Sequence, residues 1–278
     1  MDAQTKLELQ KRACELRMDV IESVHAAKSG HVGGSLSSAE VVTYLYFKEM
    51  NIDPQNPDME NRDRFVLSKG HCAPILYAAL AERGFFPREE LLKLRKIGAF
   101  LQGHPDKKHT PGVDMSSGSL GQGISAACGM ALSSKHFGTG FNVYALLGDG
   151  ELEEGQVWEA AMFAGNKNLD NLTIFVDYNG LQIDGTIGEV NSAEPIDQKF
   201  AAFGFHVITI NGNDFEQIES AVNEAHTVNK PVAIICKTTK GKGVSFMENQ
   251  VGWHGKAPND EQFEIAMAEL KEQYAKLG

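Results

Sequence analysis

Two oxygen-bearing side chains sit where buried strands should end. The apolar run Val143-Tyr144-Ala145-Leu146-Leu147 leads into Gly148-Asp149-Gly150. The apolar run Leu172-Thr173-Ile174-Phe175-Val176 leads into Asp177-Tyr178-Asn179-Gly180. Asp149 and Asn179 are thirty positions apart (179 − 149), each just past a strand. In open α/β sheets, ligands bind beyond the carboxyl ends of the strands, so this pair falls where a site is expected. A carboxylate and a carboxamide are hard oxygen donors, suited to Mg²⁺ or Ca²⁺ and not to zinc. Two side chains leave an octahedral Mg²⁺ short of ligands, so a backbone carbonyl, water and ligand oxygens must complete it. Gly148 and Gly150 let the backbone pass close to such a ligand. A lone Gly-Asp-Gly is an ordinary strand-to-helix turn; the acid and the amide at two successive strand ends carry the metal reading.

Four histidines add proton chemistry. They lie in glycine- or proline-flanked loops: Gly30-His31-Val32-Gly33-Gly34, Ser68-Lys69-Gly70-His71, Gly103-His104-Pro105 and Trp253-His254-Gly255. Structural histidines more often lie within an element, as His25 and His226 do. Four in matching loop contexts point to one shared polar site. Histidine moves protons near neutral pH and also binds hydroxyls or phosphate.

The elements that must position these residues can be read from periodicity. Leu9, Ala13, Leu16, Val20 and Val24 recur at helical spacing, with Gly30 as the stop. Ser37-Ser38-Ala39-Glu40 reads as a capping box opening a helix over 41–48. Residues 64–68 read as a short strand, followed by a helix from Pro74 to Arg83 and another over 88–96. Residues 100–120 are rich in glycine and serine and lack periodicity, so they read as a long ordered loop, a kind that is usually functional. From Gly121 onward, helices (121–137, 153–166, 196–203, 214–228) alternate with apolar strands (143–147, 172–176, 206–210, 232–236). The strands lack polar alternation, as expected when both faces are buried. The pattern predicts an α/β fold, a doubly wound and mostly parallel sheet flanked by helices. The whole chain, 1–278, reads as a single domain closed by a charged helix over 259–277.

Composition narrows the partners. A net charge of −11 argues against nucleic acid or an anionic membrane as a partner. No apolar run reaches bilayer-spanning length, and the charged, amphipathic N-terminus does not read as a signal peptide. Cys14, Cys72, Cys128 and Cys236 lie far apart without metal-ligand spacing, which fits reduced thiols in a cytoplasmic protein.

Taken jointly, these segments resemble the transketolase family of thiamine-diphosphate enzymes. Gly-Asp-Gly followed some thirty residues later by a strand-end Asn is similar to the thiamine-diphosphate fingerprint. Ser117-Gly118-Ser119-Leu120-Gly121-Gln122-Gly123 resembles the family's Gly-Pro-Leu-Gly-Gln-Gly segment, with Ser119 in place of proline. Gly148 to Gly155 and Asp177 to Gly185 resemble its two metal segments. Thr238-Thr239-Lys240-Gly241-Lys242-Gly243 precedes the last histidine as it does in the family. The resemblance runs from about residue 5 to 260 and implies thiamine diphosphate with Mg²⁺, for which Ca²⁺ or Mn²⁺ can substitute. It implies Asp149, Asn179 and the Leu181 carbonyl as metal ligands, with Gly148 and Gly150 at the diphosphate. Gly118, Ser119 and Leu120 would lie at the aminopyrimidine, Ile183 would pack on the cofactor, and Glu154 would help wire a dimer interface beside it. His31, His71, His104 and His254 would line the channel. His71 and His254 would lie nearest the diphosphate, and His31 and His104 nearest the sugar.

The resemblance also implies something missing. In the family, a glutamate on a later pyrimidine-binding domain protonates the cofactor ring, and that domain has no counterpart in these 278 residues. The expectation is a diphosphate-binding subunit of a split transketolase, active with a pyrimidine-binding partner chain as an α2β2 assembly on sugar phosphates. Beside it stand a non-catalytic binding or regulatory relative that kept the fold and two enzyme rivals. One is another thiamine-diphosphate enzyme, such as a deoxyxylulose-phosphate-synthase-like subunit or a transketolase for an unusual sugar. The other is a nicotinamide-dependent dehydrogenase, since Gly121-Gln122-Gly123-Ile124-Ser125-Ala126 fits a dinucleotide pattern; but it follows a serine-rich loop and not a strand.

Overall fold

The computed structural model describes residues 1–278. Five parallel strands form its sheet: β1 (Arg64–Leu67), β2 (Val143–Gly148), β3 (Leu172–Tyr178), β6 (His206–Asn211) and β7 (Val232–Lys237). Their order is β1-β2-β3-β7-β6, so β3 is the middle strand. A two-residue hairpin, β4 (Leu181–Gln182) and β5 (Gly185–Thr186), follows β3. The sequence reading took that stretch as plain loop.

Ten helices flank the sheet: α1 (Ala3–Ala27), α2 (Val32–Ser37), α3 (Ala39–Tyr44), α4 (Ala73–Arg83), α5 (Gln122–Phe137), α6 (Gly155–Asn166), α7 (Ile187–Val190), α8 (Ile196–Ala202), α9 (Phe215–Ala225) and α10 (Asp260–Lys276). The strands feed two cores because successive side chains point to opposite faces. Tyr144 and Leu146 join α1, α3, α4, α9 and α10 on one face. Val143, Ala145 and Leu147 join α5, α6 and α8 on the other. This two-sided burial explains the continuous apolar runs.

Several boundaries differ from the sequence reading. α1 ends at Ala27, with Lys28 as its left-handed cap at φ 51°, and not at Gly30. Ser38 caps nothing: its hydroxyl donates to the Gly34 carbonyl at 2.8 Å, and Glu40 pairs with the buried Arg17. A helical segment therefore begins earlier, at Val32, and the predicted 41–48 helix starts at Ala39 and ends in a π-turn over Leu45–Glu49. The predicted 88–96 helix is only a 3₁₀ turn, Arg88–Lys93.

The long loop before α5 is ordered by specific anchors. Tyr77 Oη meets the carbonyls of Gln102 and His104, both at 3.0 Å. Thr110 Oγ1 donates to Phe100 O at 3.0 Å, and Ser117 Oγ to Leu67 O at 2.6 Å. Buried Asp114 accepts from Phe65 N at 2.9 Å and pairs with Arg62. The loop is thereby pinned along the β1 edge and delivers His104 and Gly118 to the sheet's carboxyl end.

Candidate active site

A cavity of about 240 Å³ opens at the carboxyl ends of β2 and β3. Asp149, Asn179 and Leu181 lie in its wall with Gly148, Gly150, Gly118, Leu120 and Ile183, and three of the four loop histidines join them. Residues from six chain segments thus meet where the sheet topology predicts a ligand.

Asp149 is almost fully buried, 3% exposed. Its Oδ1 accepts from Gly150 N at 2.9 Å and its Oδ2 from Gly180 N at 2.6 Å. The second bond ties the tip of β2 to the turn after β3. Gly180 makes that turn at φ 77°, a left-handed conformation that suits glycine. Burial and then the charge of Asp177 push the Asp149 carboxyl up to about 6. A cation beside it would reverse that shift.

Beneath Asn179 lies a polar centre to which the sequence reading gave no role. Fully buried Asp177 accepts from Lys69 Nζ at 2.6 Å, Ser37 Oγ at 2.6 Å, Asn179 Nδ2 at 3.0 Å and the Thr238 hydroxyl. Burial alone would raise the Asp177 carboxyl, but the Lys69 ammonium and the other donors hold it below its ordinary value. Burial likewise works against the Lys69 ammonium, and Asp177 overcomes it. An ionised carboxylate only accepts, so the Asn179 amide must turn its nitrogen toward Asp177. That leaves Oδ1 as the outward oxygen, accepting from Leu181 N at 3.1 Å.

The Leu181 carbonyl accepts from Lys240 Nζ at 3.0 Å, and the same ammonium lies 3.0 Å from His254 Nδ1. Lys240 is 1% exposed, and burial lowers its pKa. On the opposite wall, buried Glu151 clamps three loops: it accepts from the Ser68 hydroxyl, from Gly121 N at 2.9 Å and from Gly148 N at 3.1 Å.

The histidines cluster. Ring centroids are 5.3 Å apart for His31–His71, 5.2 Å for His71–His254, 5.6 Å for His31–His254 and 6.3 Å for His31–His104. Burial, then Lys69, pushes His71 down to about 4. Burial, then His71 and Arg95, takes His31 to about 4, and burial, then Lys240, takes His254 to about 3. His104 is also lowered, by burial and then by Arg95. All four rings are therefore neutral near pH 7.

The donor set suits a hard divalent cation. One carboxylate, one carboxamide oxygen and one backbone carbonyl face a single cavity. No cluster of three or more His, Cys, Asp or Glu side chains could hold a metal, so a zinc-type site is not what this wall offers. The buried ammonium groups of Lys69 and Lys240 put positive charge beside the cavity, as a polyphosphate ligand needs. The residues fit a diphosphate held through Mg²⁺.

Some expected residues stand apart. His104 is exposed at the rim, against Gly118, and does not line the cavity. Ser119 is exposed and outside it. Glu154 is exposed at the start of α6, next to the Gly121 turn, and also outside the cavity. Ile183 lines the cavity but is 61% exposed. Lys69, Asp177, Glu151 and Lys240 are the residues the sequence reading passed over. All four stood inside segments it had quoted, and the clearest signal was Lys69, a lysine two residues before His71 in a glycine-containing loop.

Known proteins match this chain closely. Residues 9–275 match the family described as transketolase, thiamine diphosphate binding domain. The chain is 47% identical to a 6-deoxy-6-sulfo-D-fructose transketolase subunit from Clostridium sp. (strain MSTE9), covering 98% of this chain and all of that one. It is 43% identical to an apulose-4-phosphate transketolase subunit from Phocaeicola vulgatus, covering 98% and 96%. Human transketolase is 44% identical over 92% of this chain but only 41% of its own length. The crystal structure of Campylobacter jejuni transketolase superposes with a TM-score of 0.90 at 32% identity, over 100% of this chain and 46% of that one. The chain therefore spans the length of the subunit relatives and under half of the single-chain transketolases. With the strand-tip oxygens, the histidine cluster and these matches in hand, the chain belongs to the transketolase family, as its thiamine-diphosphate-binding domain.

Proposed function

We propose that this chain is the diphosphate-binding subunit of a two-chain transketolase. It transfers a two-carbon ketol unit from a ketose to an aldose acceptor, and a pyrimidine-binding partner chain completes the cofactor site in an α2β2 assembly. The observation that carries this reading is the convergence of Asp149, Asn179 and the Leu181 carbonyl with three histidines in one cavity. Residues 1–278 act in it as one binding domain.

Bound thiamine diphosphate supplies a stabilised carbanion. This chain's part is to hold, orient and shield. Asp149 Oδ, Asn179 Oδ1 and Leu181 O would hold Mg²⁺, with Ca²⁺ or Mn²⁺ as substitutes, beside the Lys240 ammonium that meets the same carbonyl. Gly148 and Gly150 bring backbone close to the diphosphate, where His71 and His254 add neutral polar contacts. Gly118 and Leu120 border the aminopyrimidine, with Ser119 and Ile183 at its exposed edge. Exposed Glu154 faces the assembly interface. His31, with His104 at the rim, meets the sugar.

Both subunit relatives are named for ketoses bearing an anionic group, a sulfonate in one and a phosphate in the other. We assign this chain a donor of the same class, a ketose with a terminal phosphate or sulfonate. A cytoplasmic site of action fits its four buried, unpaired cysteines, and no helix is long and apolar enough to cross a membrane.

The test is a ketol-transfer assay with and without the partner chain, across ketose phosphates and sulfonated ketoses. Transfer only by the pair is the expected result, and full activity of this chain alone overturns the two-chain reading. Asp149→Ala should abolish Mg²⁺-dependent cofactor binding in the assembly, measured by calorimetry; unchanged affinity removes Asp149 from the ligand set.

A further inference from the structure

Arg95 lies beside the histidine cluster, and neither the metal nor the cofactor reading gives it a task. Its backbone is left-handed, at φ 60°, a conformation unusual for a residue with a side chain. The bond from Arg95 N to Leu101 O, at 2.8 Å, holds it there. Backbone held in such a region is found where the surroundings over-determine it, often at functional sites. The guanidinium reaches three groups on two other loops: Ser29 Oγ at 3.2 Å, His31 Nδ1 at 3.4 Å and Gly103 O at 3.4 Å. Gly103 makes room for it, since a Cβ there would stand 2.9 Å from Arg95 Cζ. Meanwhile Arg95 Nε is buried with no partner. The side chain thus sits where one of its own donors is wasted, which asks for an explanation other than hydrogen-bond satisfaction.

The chemistry of the two partners supplies one. A guanidinium carries only donors and does not lose its proton in proteins. A ring nitrogen facing it must therefore be the one with the lone pair. His31 Nδ1 faces Arg95, so the single proton of the neutral ring belongs on Nε2. His31 lines the cavity, and even a Cβ added at Gly255 would lie 3.6 Å from its Nε2.

We infer that Arg95 is a positioning residue that fixes the tautomer of His31, so that His31 offers the substrate an Nε2–H donor and not a proton-accepting lone pair. Through Gly103 O the same guanidinium ties the His104 loop to the His31 loop. The groups that bear on His31 are Arg95, His71, His104, His254 and Lys240, none of which favours a second proton on the ring. His31 therefore hydrogen-bonds to a sugar carbonyl or alkoxide oxygen and leaves proton acceptance to another group. The assignment of the tautomer stands on the geometry alone; its catalytic consequence rests on the ketol-transfer reading.

The test uses the full chain labelled with ¹⁵N, with long-range proton–nitrogen spectra of the histidine rings and His31 assigned through His31→Asn. The wild type should show His31 as the Nε2–H tautomer, unchanged between pH 7.5 and 5.5. Arg95→Gly removes the guanidinium while suiting the left-handed backbone, so strain cannot explain its effects. It should give a mixture of tautomers and raise the His31 midpoint by roughly one unit, as expected for loss of one adjacent cation. Arg95→Lys keeps a donor-only cation and should restore the Nε2–H form. A wild-type ring protonated on Nδ1, or a folded Arg95→Gly chain with an unaltered His31, overturns the inference. In the assembled enzyme, Arg95→Gly should lower kcat/KM and Arg95→Lys should recover part of it; lost activity beside an unaltered His31 spectrum also overturns it. Should the wild type transfer no ketol unit with any partner, the functional reading fails while the spectra still decide the tautomer.

Discussion

Replacing Lys69 by Met would strand a carboxylate in the protein interior. Lys69 and Asp177 are each 1% exposed and 2.6 Å apart. After the replacement, Asp177 keeps Ser37, Thr238 and Asn179 as donors but has no counter-charge in contact. Breaking a buried pair by removing one partner costs roughly 3–5 kcal/mol. A domain is stable by only about 5–15 kcal/mol, so a large share of the total goes. The pH dependence should change sign as well. In the wild type, the Asp177 carboxyl is held below its ordinary value, so its contribution is full above that value and fades as pH falls through the folded one. In Lys69→Met, burial prevails and the folded pKa lies above the ordinary value; the deficit is then largest at high pH and shrinks as pH falls through it. Urea unfolding followed by far-ultraviolet circular dichroism, at pH 7.5 and then stepwise down through the ordinary carboxylate range, measures both effects. Because Lys69 also acts on His71, the control is Lys69→Met/Asp177→Asn, which shares any change at His71 but lacks the stranded charge. The double variant should recover at least half of the loss at pH 7.5. A single-variant loss under about 1 kcal/mol, the scale of an exposed pair, or a double variant no better than the single one, refutes the reasoning.

Other consequences can be measured in the same way. The folded pKa of His71 is depressed to about 4, so the unfolded chain binds that proton first and stability falls as pH drops below about 6.5; His71 alone costs about 2 kcal/mol by pH 5, with smaller, solvent-screened additions from His31 and His254, and a flat stability profile between pH 7 and 5 would contradict this. Gly129 lies inside α5 with open space where a Cβ would go, so Gly129→Ala should stabilise the isolated chain by about 0.5–1 kcal/mol in urea unfolding. Gly70→Ala should do the reverse, since its Cβ would lie 2.7 Å from the Gly118 nitrogen. Tyr77→Phe removes the hydroxyl that meets Gln102 O and His104 O, costing about 1 kcal/mol and speeding amide exchange in the 100–120 loop.

The parallel sheet was legible because both its faces are buried, which turns each strand into an apolar run bounded by glycine or polar residues. Asp149 and Asn179 were legible for the same reason, as they mark where two such runs stop. Strand order was not, because it follows from packing between distant segments. Ser38 misled because its hydroxyl found the Gly34 carbonyl, a tertiary arrangement that no local pattern announces. The deepest omission was Asp177 with Lys69. They are 108 positions apart (177 − 69), and an interior ion pair leaves no periodic trace in the chain. Arg95 stayed hidden likewise, since its partners lie on loops at Ser29–His31 and Gly103.

Asp149 and Asn179 stand just past the ends of β2 and β3, two inner strands of the sheet, whereas His104, Ser119 and Ile183 are exposed around the cavity mouth. The cavity thus has a buried floor and an exposed rim. Such a division separates two tasks. The strand tips hold one geometry whatever covers the cavity, and the exposed residues are the ones left to meet what covers it.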